Sequence, residues 1–420
     1  MKNNLILKLI LSLVIIFIAS IYLPEIYWKT FPHRYYLPRV VYSPILNDIL
    51  ITKGDFKKSM IVDLKGKRYG SKEYEMLVPQ TAFAQLVFLG KLPDTVNGVA
   101  FTVPELRKNL FRTGFEPAKT DAFKLLMHPL IESKPNRASL SFPNEFFSLT
   151  GDRMKIVDSR TNVIDETLSD RFSLELMDED FSFPAKELFG NPTTRKPFDE
   201  GYFVIDSKDD FFHLKRVQDK PYVHKVKLPE NSKVVHMEVL ERELHEFYGF
   251  FITDDNKFYM LREGDYHPIN IPIEDFDYRS SMMSLNADIL YRRVSVMNDN
   301  KISVFVYDRD FIPITSYKDS VTHIDETTLG VTAAYIFPFT FTLAGGKSLF
   351  INIEFDYKGF QFLIVNFILV LLFAAFLKYK KYDLTKNIFQ FILIAVAGIY
   401  GVIAVSVIRD FNQKNSAGVK

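Results

Sequence analysis

Residues with metal-binding side chains crowd one short stretch, foremost His236, Glu238, Glu241, His245 and Glu246. Imidazole nitrogen combined with carboxylate oxygen is the donor set of a zinc-type site. The two histidines stand nine positions apart, a spacing that fits no familiar site. The stretch therefore reads as a charged face of a strand or short helix, and no metal is expected. His213 follows two phenylalanines and reads as a packed or surface histidine. The run Asp178-Glu179-Asp180 offers oxygen ligands to Ca²⁺, but its composition is that of a solvated loop. Arg242, Arg262, Arg292 and Arg293 are the arginines that could meet an anionic ligand in a channel. Phe211, Phe212, Phe258, Tyr259, Phe276 and Tyr278 could form a stacking platform; at strand spacing they read first as core.

Signature motifs are missing. There is no GxGxxG, and Gly346-Lys347-Ser348 resembles the end of a phosphate-binding loop only until Phe341, which occupies the place of its first glycine. GxSxG and HExxH do not occur either. The chain has no cysteine, which removes disulfides, thiolate nucleophiles and thiolate-held zinc. The reading is of a chain with no catalytic residues and no cofactor.

The elements that position these residues divide sharply. Three stretches are oily enough to span lipid, which takes about 20 apolar residues. They are Leu5–Leu23, Gly359–Leu377 and Asn387–Ile408. Lys8 lies in the first turn of the first and can snorkel. A secretory leader is the competing reading of that segment. Bulky Ile21, Tyr22 and Leu23 stand where a small-residue cleavage site would be, so an uncleaved anchor is expected. The loop between the last two spans carries Lys378, Lys380, Lys381 and Lys386. By the positive-inside rule it is cytoplasmic, which puts the N-terminus inside and residues 24–358 outside a bacterial inner membrane. Gln361, Asn366 and Gln390 are polar groups in the spans, and Ala397, Gly398 and Gly401 are small ones. Either the second and third spans pack as a hairpin through them, or they dock on another membrane protein.

Nine basic and two acidic residues lie outside 24–358, so the middle of the chain is mildly acidic although the whole carries +1. That argues against nucleic acid as a partner. The middle is predicted to be mainly β. Phe146–Asp158, Tyr202–Leu214, Phe250–Leu261 and Arg293–Val306 each read as strand, polar turn, strand. Third strands follow at Tyr222–Leu228, His267–Ile271 and Ile312–Tyr317, and Pro268 and Pro313 make the last two edge strands. An earlier meander is expected over Ile45–Ile51, Met60–Asp63 and Tyr74–Val78, and a late hairpin over Ala333–Leu343 and Leu349–Phe355. Units of three or four strands recurring at about 40–50 residues suggest a β-propeller. Residues 80–140 interrupt the pattern as a partly helical insertion, with helices expected at Val103–Phe111 and Asp121–Leu130. Propeller closure would set the first and second spans side by side.

Tyr22-Leu23-Pro24-Glu25-Ile26-Tyr27-Trp28, Arg39-Val40-Val41-Tyr42-Ser43-Pro44 and Gly201-Tyr202-Phe203-Val204-Ile205-Asp206 together resemble a family of bacterial three-span membrane proteins known only as a domain of unknown function. Members of that family tend to be encoded beside ABC transporter components. The resemblance implies an accessory role with permease and ATPase subunits, and carries no active site. The alternatives are a membrane-anchored envelope sensor for a peptide, glycan or protein and, behind it, an envelope hydrolase.

Overall fold

The structure is a computed structural model that describes residues 2–32, 37–54, 59–121, 124–298, 300–343 and 353–408. Its α-helices, in chain order, are α1 (Lys2–Thr30), α2 (Ser71–Leu77), α3 (Pro79–Phe88), α4 (Val103–Asn109), α5 (Glu166–Asp178), α6 (Thr328–Ile336), α7 (Phe362–Tyr379) and α8 (Ile388–Ile408). The chain forms two compact units, residues 37–319 and residues 1–36 with 320–420.

The 37–319 unit is built of antiparallel meanders. The first sheet holds Arg39–Ser43, Asp48–Lys53, Met60–Asp63 and Arg68–Tyr69. The second holds His128–Pro129, Glu145–Ser148, Lys155–Asp158 and Val163–Ile164. The third holds Glu187–Gly190, Tyr202–Ile205, Phe211–Val217 and Lys220–Val226. The fourth holds Val234–Val239, Phe247–Thr253, Phe258–Arg262 and Pro268–Ile271. The fifth runs Met282–Ala287, Arg292–Met297, Lys301–Tyr307 and Pro313–Ser320, with the distant strand Phe111–Phe115 paired to its first member.

The third, fourth and fifth sheets are apolar on both faces, because each is sandwiched between two neighbours. Tyr202 and Val204 pack with the second sheet, while the intervening Phe203 and Ile205 pack with the fourth. On Phe258–Arg262 the alternation sends Phe258 and Met260 toward the fifth sheet, and Tyr259 and Leu261 toward the third. Ile302, Val304 and Val306 meet the first sheet, while Phe305 and Tyr307 meet the fourth. The packing order is thus second, third, fourth, fifth, first. Period-two geometry with both faces buried explains why these strands read as unbroken apolar runs such as YFVI and FYML. Turns are pinned by aspartates. Asp63, Asp206 and Asp308 each accept from the backbone N–H two and four residues on.

Pro268 and Pro313 do lie on edge strands. Other expectations are corrected. Tyr74–Leu77 lies in α2 with Val78 as its C-cap, and the fourth strand of the first sheet is Arg68–Tyr69. Asp121–Leu130 is not helical among the described residues; it holds the end of a 3₁₀ turn (Pro117–Asp121) and the strand His128–Pro129. Phe111 is a strand residue, since α4 stops at Asn109. The turns at Asp55, Asp299 and Gly345-Gly346, and Gly346-Lys347-Ser348, lie outside the described residues.

In the other unit, three helices are long and apolar enough to cross a membrane: Ile6–Thr30, Phe362–Tyr379 and Thr385–Ile408. The first is longer than Leu5–Leu23, continuing through Pro24 to Thr30. α8 is the hub. Ile394, Ala397, Tyr400 and Ala404 are buried with Ile16 and Ala19 of α1 and with Ala333 and Phe337. α1 therefore packs along the third span rather than beside the second, and α7 packs on α8 as a hairpin. Residues 320–358, expected within the β domain, cluster here. Ala333 lies in α6, which Thr327 caps by accepting from the Gly330 N–H, and the strands Thr340–Leu343 and Ile353–Asp356 pair after it.

Candidate functional site

Within the 37–319 unit, basic side chains gather on two adjoining recesses of about 430 and 500 Å³ that share Pro197, Glu241 and Arg242. A third, of about 350 Å³, adjoins them at Leu110, Phe111 and Arg112. Five segments supply the charge. The last turn of α4 brings Arg107 and Lys108. Its Thr102–Glu105 capping box fixes the start of that helix. Strand Phe111–Phe115 brings Arg112, and the 3₁₀ turn after it brings Lys119. The loop before Tyr202–Ile205 brings Arg195 and Lys196, and the chain after Val234–Val239 brings Arg242.

Two of the cations are committed to carboxylates. Lys119 Nζ lies 2.7 Å from Glu238 Oε2. Lys196, almost wholly buried, reaches Asp199 Oδ1 at 2.6 Å and Glu241 Oε1 at 2.5 Å. Glu241 also accepts from the Glu200 N–H at 2.9 Å and from Asn191 Nδ2 at 2.9 Å, so its carboxylate ties the loop to the fourth sheet. Burial raises the Glu241 pKa against the pull of Lys196. Glu238 is lowered, because its bonds to His236 and Lys119 outweigh burial.

Arg107, Lys108, Arg112, Arg195 and Arg242 have no ion pair among the described residues. Each is exposed. Arg242 sits over the Phe111 ring, its guanidinium carbon 5.8 Å from the centroid. An open recess lined by unpaired guanidiniums is chemically suited to anions, since each offers a planar fork of donors matched to carboxylate or phosphate.

The arginines expected to meet an anion part company. Arg242 lines the cleft, and Arg293 lines its third recess with Asp288. Arg262 closes a local pair with Asp265. Arg292 is 1% exposed and structural: it holds Glu246 Oε2 at 2.8 Å and the Asp288 carbonyl at 2.6 Å. Sequence reading missed Arg107, Lys108, Arg112 and Arg195, which come from segments far apart in the chain.

Of the group His236, Glu238, Glu241, His245, Glu246, His236 and Glu238 stay together, 3.5 Å apart, and the others part. His236 is buried beside Phe115, Phe189 and Phe250. Glu246 pairs with Arg292 and Arg309. His245 turns to Glu263. His213 is a core residue: it stacks on Phe203, and its ring nitrogens meet the Tyr266 hydroxyl at 2.7 Å and the Glu200 carbonyl at 2.5 Å. Burial drives its pKa down to about 3. Asp178 ends α5, with Glu179 as its C-cap and Asp180 in the following turn. Phe211, Phe212, Phe258, Tyr259 and Phe276 are core, while Tyr278 is half-buried under Arg279.

In the helical unit, Asn366, Gln390, Ala397, Gly398 and Gly401 are buried within the chain, and only Gln361 is exposed. The small-residue stripe of α8 packs inside this chain, against α1 and α7. Gly398 breaks α8 with φ 53° and ψ −125°. Asn366 Nδ2 donates to the Ala395 carbonyl at 2.9 Å, meeting an acceptor that the break releases from the helix ladder. Lys378 stands in the last turn of α7, Lys380 is its C-cap, and Lys381 and Lys386 lie in the connection to α8.

Among the curated proteins, none matches the chain. Similar solved structures include PorZ, an essential surface component of the type-IX secretion system of Porphyromonas gingivalis, with 11% identity and TM-score 0.22 over 77% of this chain and 32% of that one. Another is the dihydro-heme d1 dehydrogenase NirN, with 12% identity and TM-score 0.23 over 61% of this chain and 62% of that one. A third is an exported protein of Bacteroides fragilis, with 8% identity and TM-score 0.15 over 52% and 82%. The chain thus spans about a third of PorZ and about three fifths of NirN, and at these TM-scores no argument rests on the likeness. Residues 39–307 match the family model of a domain of unknown function, DUF4857, and the chain belongs to that family.

Proposed function

We propose that this protein is a non-catalytic accessory subunit of a bacterial ABC transporter system. Its three helices hold a five-bladed, propeller-like domain outside the inner membrane, and that domain receives an anionic ligand or partner segment in the arginine cleft. The observation that carries the binding role is the cluster of unpaired Arg107, Arg112, Arg195 and Arg242 around two adjoining recesses in a mildly acidic domain. Consecutive meanders packed face to face support the propeller reading, since blades pack that way around an axis. Lys378, Lys380, Lys381 and Lys386 support the orientation. The broken third span supports a role in transport more than simple anchoring, because non-helical backbone at membrane depth is kept where helices serve function.

Co-purification from native membranes in mild detergent tests the partnership. An ATPase and a permease subunit are expected with the full-length chain. A chain that comes out alone while still binding anions is an envelope sensor instead, and the transporter reading falls.

A further inference from the structure

We propose that Glu200, His245 and Glu263 form a site for one divalent transition-metal ion of the zinc class. Their ligand atoms lie within 4.8 Å of one another. Glu200 closes the loop before Tyr202–Ile205, His245 lies in the turn before Phe247–Thr253, and Glu263 follows Phe258–Arg262, so turns of the third and fourth sheets meet here. His245 Nδ1 stands 2.8 Å from Glu263 Oε1. The ring is held flat on Phe198, centroids 4.1 Å apart, and the Glu263 N–H donates to the Glu246 carbonyl at 3.0 Å, so both ligands are positioned before any ion arrives.

A separate observation points to a cation. Glu263 Oε2 is shut off from solvent and has no hydrogen-bond partner among the described residues. A buried carboxylate oxygen left this way is costly unless something positive meets it. Lys215, 2.7 Å from Glu200 Oε2, neutralises only one of the two carboxylates. One imidazole nitrogen with two carboxylates suits Zn²⁺ or Mn²⁺; Ca²⁺ takes oxygen ligands alone and Cu(I) takes sulfur. His245 is half exposed, which leaves the ion a path in and a position for water.

The test uses full-length protein in detergent, stripped with a chelator and dialysed, then titrated with Zn²⁺ by calorimetry and by thermal melting. One ion per chain and a rise in Tm are expected. Glu263→Gln and His245→Asn should each weaken binding at least about tenfold. Asn tolerates the left-handed backbone that His245 occupies at φ 52°. Glu243→Gln is the control and should bind as wild type. Zinc-edge absorption should report one imidazole among oxygen ligands. Sub-stoichiometric uptake, unchanged affinity in a folded Glu263→Gln variant, or a spectrum without imidazole overturns the proposal.

Discussion

Replacing His213 by Phe should flatten the acid limb of the stability curve. His213 is wholly buried, and burial is the main cause of its low pKa, about 3 in the folded chain. An unfolded histidine titrates near 6.5. The folded form thus binds the proton less well than the unfolded form. Its stabilising effect is complete above about pH 6.5 and is lost as pH falls toward 3. At about 1.4 kcal/mol per pH unit, lowering the pH from 6.5 to 5 removes about 2 kcal/mol. Phe keeps the stack on Phe203 but strands the Glu200 carbonyl and one bond of Tyr266, which costs about 1–3 kcal/mol at neutral pH. Urea denaturation of both forms at pH 7.0, 6.0 and 5.0 should show two curves that converge on acidification. His128 and His236 are also lowered by burial, so both curves keep a residual slope and the difference between them isolates His213. Parallel curves with a constant offset would refute the reasoning.

Other outcomes follow from the same geometry. Gly398→Ala places a methyl 2.2 Å from Asn366 Oδ1 on backbone that only glycine adopts freely, so it should cost at least about 2 kcal/mol in detergent thermal melts; a neutral change contradicts the described break. Glu246→Ala leaves Arg292 charged and buried, which should destabilise by on the order of 3 kcal/mol by denaturant titration, whereas a shift below about 0.5 kcal/mol means the pair is dispensable. Because the chain has no cysteine, single-cysteine reporters are clean: in intact spheroplasts a membrane-impermeant maleimide should label Arg195→Cys and spare Lys380→Cys, and the reverse pattern inverts the topology.

The hairpins were legible in the sequence because their turns carry Asp at fixed offsets and their strands carry continuous β-branched and aromatic residues. The spans were legible by length alone. Three kinds of feature were not. Tyr74–Val78 reads like a strand but Tyr74–Leu77 is helical, and the first sheet closes instead with the two-residue strand Arg68–Tyr69. α5 carries little local hydrophobicity; its Phe172 and Leu176 become a core face only against the second and third sheets. Strand Phe111–Phe115 pairs with Met282–Ala287, a partner that no local pattern reveals. The cleft depends on that long-range pairing, which brings Arg112 to Arg195 and Arg242. Gly398 was noticed as small and not as a break, since composition does not report φ.

The arginine cleft is tested most directly by titrating pyrophosphate into the full-length protein at low salt, alongside the triple variant Arg112→Gln, Arg195→Gln, Arg242→Gln. Saturable binding that weakens steeply with added salt, and at least a tenfold loss in the triple variant, is the predicted result. Binding that is absent in the wild type, or equal in the two proteins, would contradict it.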